Sequence, residues 1–336
     1  MLMKIRVAQI TGDDCVGGIK STLNALINSE LSQNFEFIIL PFDTTRLAIK
    51  LWRFQPSVIL FSQASRLKGL PKLLLIKLLV PHAQIIIWEH HYSQNYEQFN
   101  SLSTQRFHRM LKLTYGLADR VVAVSQAQGK WMLRNRLVSL DKLMVIQQCR
   151  VLKEFLAVAF KPTQTPLVLA AYGRFCFQKG FDVLLQAIKL IPHLPIVLRI
   201  GGEGVQEKEL KQLAQGLENI EFVGRIDDVP SFLQLSDVVV IPSRWEPWGN
   251  VCLEAKAAGK PVIASNVDGL TEQVQNCGLL VPANDSKALA QAIEHLVSLP
   301  QSQLEAWSSN GHKSVQGAWE QYLSRWRALL WEVLEH

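Results

Sequence analysis

Short runs of β-branched and other apolar residues alternate with amphipathic stretches along the whole chain. In the first half, residues 5–11, 35–42, 57–62, 84–88, 120–125 and 142–146 have the composition of strands. Residues 19–31, 45–53 and 69–79 carry helical periodicity between them. Near-continuous apolar strands separated by helices predict a parallel sheet covered on both faces. The rhythm breaks over 147–166, where Pro162 and Pro166 bracket a linker. It resumes with strand-like runs at 167–172, 196–200, 220–223, 237–241, 261–265 and 279–281. Over 313–334, Trp319, Tyr322, Trp326, Leu329 and Leu330 recur at helical spacing, which predicts a terminal helix with a packed aromatic face. The expected organisation is two doubly wound α/β domains, 1–155 and 156–312, and a C-terminal helix, 313–336.

Composition sharpens this picture at three points. Hydrophobic residues make up 48% and charged residues 19% of 336, a well-cored globular protein with enough chain for two domains. Five cysteines, scattered and never at metal-ligand spacing, argue against a disulfide framework and a zinc site, and suit a reducing cytoplasm. Residues 1–5 run straight into the first strand without a signal-peptide pattern, and the apolar stretch 70–80 is broken by Pro71, Lys72 and Lys77 and too short to span a bilayer. The net charge of +6 conceals an asymmetry: residues 1–155 hold 20 Lys and Arg against 10 Asp and Glu, whereas 156–336 hold 15 against 19. A basic half beside an acidic half points to an anionic partner for the first.

Several α/β chemistries are excluded. Gly201-Gly202-Glu203-Gly204 has the wrong spacing for a dinucleotide fingerprint, and neither a P-loop nor a G-x-S-x-G elbow occurs. Asp13-Asp14 and Asp227-Asp228 are adjacent, so neither forms the Asp-x-Asp pair that would hold a metal. No metal and no cofactor are expected.

The segment from Arg244 to Ala255 is the most informative. Pro247 and Gly249 mark a tight turn into a helix, whose first amides at Gly249, Asn250 and Val251 are placed to meet a diphosphate. Glu246 lies just before that helix and Glu254 one turn into it, so both carboxylates can accept hydrogen bonds from sugar hydroxyls. A capping glutamate and a surface glutamate would produce the same spacing. Upstream, Gly173-Arg174 ends one strand and Lys179-Gly180 opens the next helix, placing two cations in one loop where they can neutralise a leaving diphosphate.

These residues together resemble the retaining GT-B glycosyltransferases with an E-x7-E motif, family 4 of the carbohydrate-enzyme scheme. Glu246 and Glu254 match that spacing, and Glu-Pro-Trp-Gly followed by Leu-Glu-Ala is similar to the family's E-P-F-G and L-E-A signature. Residues 235–243 and 258–265 match on either side, and Arg174 and Lys179 fit the G-R-x-x-x-x-K-G motif. Weaker likenesses place Gly202 in the glycine turn below the nucleotide, Arg225 beside the base, and Gly269 and Glu272 in the closing loop. In the first domain, Gly17 and Gly18 resemble the loop that faces the donor phosphates, and Trp88-Glu89-His90 resembles the segment with a histidine near the reacting sugar. His90 is preferred there over His91. The chain departs from the family where an asparagine is usual: Gln147-Gln148-Cys149 stands in its place.

The resemblance implies an α/β GT-B fold, two Rossmann-like domains facing a central cleft, with room for the C-terminal helix to cross back to the first. It implies a retaining, metal-independent hexosyltransferase. Arg174, Lys179 and the helix N-terminus would take the diphosphate, Glu254 the ribose, Glu246 the hexose, and His90 the sugar and phosphate. The expected partners are a sugar nucleotide, UDP-linked by preference, and a glycan or polyprenyl- or lipid-linked acceptor in cell-surface polysaccharide, lipopolysaccharide or glycolipid synthesis. Nucleic acid is not expected. Basic residues Arg66, Lys68, Lys72 and Lys77 predict reversible attachment to an anionic membrane, giving a cytoplasmic protein peripheral on its inner face. A sugar-nucleotide epimerase, a hexosyl-phosphate or starch-type synthase, and a non-catalytic sugar-nucleotide-binding subunit remain open.

Overall fold

The computed structural model describes residues 4–12, 18–42, 46–62 and 64–335. The chain divides into two compact units, 1–151 with 318–336, and 152–317.

In the first unit the order is β1 (Ile5–Thr11), α1 (Gly18–Ile27), β2 (Phe35–Pro41), α2 (Leu47–Phe54), β3 (Val58–Phe61) and α3 (Leu70–Leu79), followed by β4 (Gln84–Glu89), α4 (Gln94–Asn100), α5 (Thr104–Gly116), β5 (Arg120–Ala123), α6 (Gln126–Arg134) and β6 (Leu143–Val145). Among the described residues these strands form one parallel sheet ordered β2-β1-β3-β4-β5-β6. The interior strand β3 is buried at every position, while the edge strand β2 alternates in exposure. That contrast is what a sheet covered on both faces requires. Serines cap three of its helices, and Ser125 Oγ accepts from the Gln128 amide at 3.1 Å.

The second unit continues with α7 (Lys153–Leu156), β7 (Leu167–Tyr172), α8 (Phe181–Leu190), β8 (Ile196–Gly201), α9 (Glu207–Leu213), β9 (Ile220–Gly224), α10 (Val229–Gln234) and β10 (Val238–Ile241). Then come α11 (Asn250–Ala257), β11 (Val262–Ser265), α12 (Leu270–Gln273), β12 (Gly278–Val281), α13 (Ser286–Ser298) and α14 (Gln301–Ser314). Its parallel sheet runs β12-β11-β10-β7-β8-β9. The order in which strands are added reverses between β7 and β10, and the carboxyl ends of strands at such a switch point are where ligands bind in open α/β sheets.

Two expectations are corrected here. Residue 313 falls inside α14, and the terminal helix α15 (Ala318–Glu332) starts only after Gly317, whose positive φ of 70° breaks the chain. Its fully buried Trp326 packs on Trp88 of β4 with ring centroids 4.5 Å apart, and Glu332 accepts from Arg120 at 2.9 Å. The second correction concerns α3. On it only Leu73 and Ile76 are buried, and Leu74, Leu75, Leu78 and Leu79 are exposed. Lys72 and Lys77, expected against lipid, are half-buried and bonded to backbone carbonyls. Lys72 donates to the Phe42 carbonyl and lies over its ring, and Lys77 donates to the Leu117 carbonyl at 3.0 Å.

Candidate active site

The loop leaving β7 carries Arg174, and the turn that ends it carries Lys179. Lys179 Nζ is ion-paired with Glu246 Oε2, both side chains being largely shielded. Ser243 Oγ donates to the same oxygen at 3.3 Å. Arg174 is exposed and its side chain has no hydrogen-bond or ion-pair partner among the described residues. The two cations therefore differ: one is held on the motif's first glutamate and the other projects outward.

Backbone contacts fix this loop. Gly173 donates to the Gly201 carbonyl at 3.0 Å, Phe175 to the Glu203 carbonyl at 2.8 Å, and Gly202 to the Gly224 carbonyl at 2.7 Å. Gly202 has φ +140°, and a Cβ there would run into the Gly173 carbonyl. The glycine turn is thus a joint that lets three strand ends meet closely.

Glu246 is placed from its other side. Its amide donates to Asp268 Oδ2 at 3.1 Å, and its carbonyl accepts from Gly269 at 3.1 Å. Asp268 is buried with φ +39°, a backbone that short polar side chains tolerate best among non-glycine residues. Gly249, with φ +102°, turns the chain into α11, and Cys252 makes the first bond back to the Gly249 carbonyl at 3.0 Å. Asn250 and Val251 head the helix at its positive end. Gln273 Nε2 donates to the carbonyls of Trp248, at 2.6 Å, and Gly249, at 3.2 Å, holding this turn down on α12. Glu254 is buried, and Tyr172 at the end of β7 donates to its Oε2 at 2.8 Å. Both glutamates and Lys179 are therefore gathered at the carboxyl ends of β7 and β10.

Sequence reasoning missed the part that braces this arrangement. Arg244 is buried and forms a fork with Asp182 of α8, at 2.9 and 2.6 Å. It also donates to the Phe177 carbonyl at 2.7 Å and to Asn284 at 2.9 Å, and lies over the Phe177 ring. One guanidinium thus ties the segment after β10 to the Lys179 loop and to α8. Tyr172, Asp268 and Gln273 were missed as well. Only Asp268, next to Gly269, carries a turn signal that a reader of the sequence could have used.

In the first unit, His90 follows β4 and is buried. Gln148 Oε1 lies 2.8 Å from its Nδ1, so Nδ1 donates and Nε2 is left as an acceptor. Trp88 packs against the ring, tilted by 47° with centroids 4.3 Å apart. Burial, with the neighbouring His91 adding to it, lowers the His90 pKa to about 3 against the opposing Gln148 bond, so the ring is neutral at physiological pH. Glu89 fixes the turn that follows: its Oε1 accepts from the amides of His91 at 2.8 Å and Tyr92 at 3.1 Å. Gln148, where the family pattern has asparagine, is therefore the partner of the candidate histidine.

Other expected residues stand apart. Arg225 is exposed and pairs with Asp227 at 3.1 Å. Gly18 begins α1, and Gly17 lies outside the described residues. Burial pushes the thiols of Cys149 and Cys252 up to about 12, which makes them inert as nucleophiles. Among the described residues no three His, Cys, Asp or Glu side chains converge as a metal site, and no helix is long and apolar enough to cross a membrane. A small cavity of the first unit, against Phe42, Leu73 and Ile87, contains none of the expected residues.

Residues 153–314 match the family described as Glycosyl transferases group 1. A lipopolysaccharide core biosynthesis glycosyltransferase, LpsE of Rhizobium meliloti, is 34% identical over 162 residues, 46% of this chain and 46% of that protein. The chain spans about half the length of the curated relatives it matches. Likeness to solved structures extends further. A sucrose-phosphate synthase of Thermosynechococcus elongatus superposes with a TM-score of 0.79 and 21% identity, covering 99% of this chain and 100% of that one. Anabaena HepE, solved with UDP and glucose, gives 0.77 and 17%, covering 97% and 99%. At such identities the likeness establishes the fold, two six-stranded parallel Rossmann-like units of GT-B type.

Proposed function

We propose that this protein, whose residues 153–314 match the family described as Glycosyl transferases group 1, moves a hexose from a UDP-sugar to a glycan or lipid-linked acceptor, with retention of configuration and without a metal ion. The observation that carries this reading is the Lys179–Glu246 pair at the head of α11, with the exposed Arg174 on the same loop. A diphosphate takes Lys179 and Arg174 as its counter-charges and the amides of Asn250 and Val251 as donors. Glu246, released from Lys179, then accepts from hexose hydroxyls. Glu254, oriented by Tyr172, accepts from the ribose. The acceptor hydroxyl attacks the anomeric carbon on the face from which the diphosphate leaves. The anomeric carbon–oxygen bond breaks, and the hydroxyl proton passes to the departing phosphate oxygen. His90, neutral and held by Gln148, is the first unit's candidate for the sugar. The acceptor is assigned to the first unit.

The likeness to LpsE, a lipopolysaccharide core biosynthesis glycosyltransferase, favours an acceptor in lipopolysaccharide or polysaccharide synthesis, and the HepE complex favours a uridine nucleotide. Such an acceptor places the protein on the cytoplasmic face of the membrane. A thermal-shift screen of UDP-, GDP- and ADP-sugars in excess chelator tests the donor. A ligand at about 100 times its Kd stabilises by roughly 2.7 kcal/mol. UDP-sugars are expected to give that shift, and NMR of the product to show the donor's anomeric configuration. A shift that appears only with added magnesium, or an inverted product, would overturn the reading.

A further inference from the structure

We propose that the outward face of α2 and α3 in the first unit is a docking surface for an anionic lipid bilayer, whose apolar side chains enter the membrane. Both helices pack on the same core, α2 through Leu47 and Leu51 and α3 through Leu73 and Ile76. They also contact each other. Their opposite sides are apolar where a soluble surface would be polar. On α2, Ile49 and Trp52 are exposed, Trp52 by 62%. On α3 and the turn before it, Leu67, Leu74, Leu75 and Leu78 are exposed, Leu78 by 70%. Leu74 and Leu78, four residues apart, lie along one stripe of α3. An apolar patch of this extent, shared by two neighbouring helices, marks an interaction surface.

Charge identifies the partner. Residues 44–88 contain seven Lys and Arg and no Asp or Glu. Lys50, Arg53 and Lys68 are exposed, their side chains have no hydrogen-bond or ion-pair partner among the described residues, and each adjoins an exposed apolar residue in sequence: Ile49, Trp52 and Leu67. Cations interleaved with leucines and an interfacial tryptophan form the pattern of a surface that lies in the headgroup layer of an anionic membrane. A second copy of this chain is a poor occupant, because a two-fold interface would set the same unpaired cations against each other. This surface depends on the transfer reading only for its use, which is to bring the enzyme to a lipid-linked acceptor.

The test is flotation of the full chain with vesicles of phosphatidylcholine containing roughly one-third phosphatidylglycerol, and with phosphatidylcholine alone. Binding is expected with the anionic vesicles, weakened but not abolished by salt, since leucine insertion is not screened. Leu74→Glu with Leu78→Glu should lower partitioning by about 10-fold or more per site. Lys50→Glu with Lys68→Glu should lower it at low salt only. Both variants should keep the wild-type melting temperature and UDP-sugar shift, because none of these residues belongs to the candidate active site. Trp52→Ser is the second variant should the leucine pair fail to fold. Absence of flotation at low salt, or flotation untouched by these substitutions, overturns the proposal. So does a wild-type dimer in sedimentation that Leu74→Glu with Leu78→Glu dissociates. Flotation without any UDP-sugar shift would instead overturn the transfer reading and leave this surface standing.

Discussion

Lys179 and Glu246 neutralise one another in a largely shielded position, so under the proposed function a diphosphate competes with Glu246 for Lys179 and the freed carboxylate turns to the hexose hydroxyls. Glu254 shows the complementary device, a buried carboxylate to which the Tyr172 hydroxyl donates. His90 is the residue whose environment is most open to test by titration. Unfolded, it takes up a proton near 6.5; in the native protein burial holds this off until about 3. Between those values the unfolded chain binds more protons, so stability falls as pH is lowered through the window, at up to about 1.4 kcal/mol per pH unit. Urea unfolding at pH 7 and pH 5 should show wild type losing about 2 kcal/mol more than His90→Asn. Equal losses would mean that His90 is not held neutral. Glu246, Glu254, Arg174 and Lys179 were legible in the sequence because they fall at fixed spacings around one helix start and one loop. Tyr172, Asp182 and Gln148 were not. Each acts through a partner 58–82 residues distant, and no local periodicity records such a contact.

Every strand expected from the apolar runs is present, with ends moved by a residue or two, because interior parallel strands leave an unbroken hydrophobic signature. Helices were less legible. In α3 the leucines were too numerous to show which side faces the sheet, and the structure places most of them outside. The terminal helix was expected from its aromatic spacing, but its start was set by Gly317, whose conformation is a matter of backbone geometry. That helix completes the core of the first unit. Trp326 is fully buried against Trp88, Phe35 packs on Trp331 at 5.5 Å, and Arg327 pairs with Glu30. Trp326→Ala should therefore destabilise by about 3–5 kcal/mol, the range for removing a large buried aromatic side chain. Urea denaturation checks this, and a loss below about 1 kcal/mol, within the reach of a surface substitution, would contradict the packing described.

On the scale of the molecule, the charge asymmetry was visible in composition, whereas its meaning needed burial. Of the four basic residues first expected against lipid, Lys72 and Lys77 are half-buried and bonded to backbone carbonyls, and the outward face is built from neighbouring leucines and from Lys50 and Arg53 of a different helix. The candidate residues around α11, in contrast, lie within one unit that coincides with the matched family segment, which is why their motif was so readable. The central claim is that this unit handles a sugar diphosphate with side-chain cations. Release of UDP from a UDP-hexose, followed in excess chelator for wild type and Lys179→Ala, tests it most directly. Wild type should turn over unimpaired by the chelator, and Lys179→Ala, still folded, should turn over about 100-fold more slowly or less. Turnover that needs a divalent cation, or a folded Lys179→Ala that matches wild type, would contradict the account.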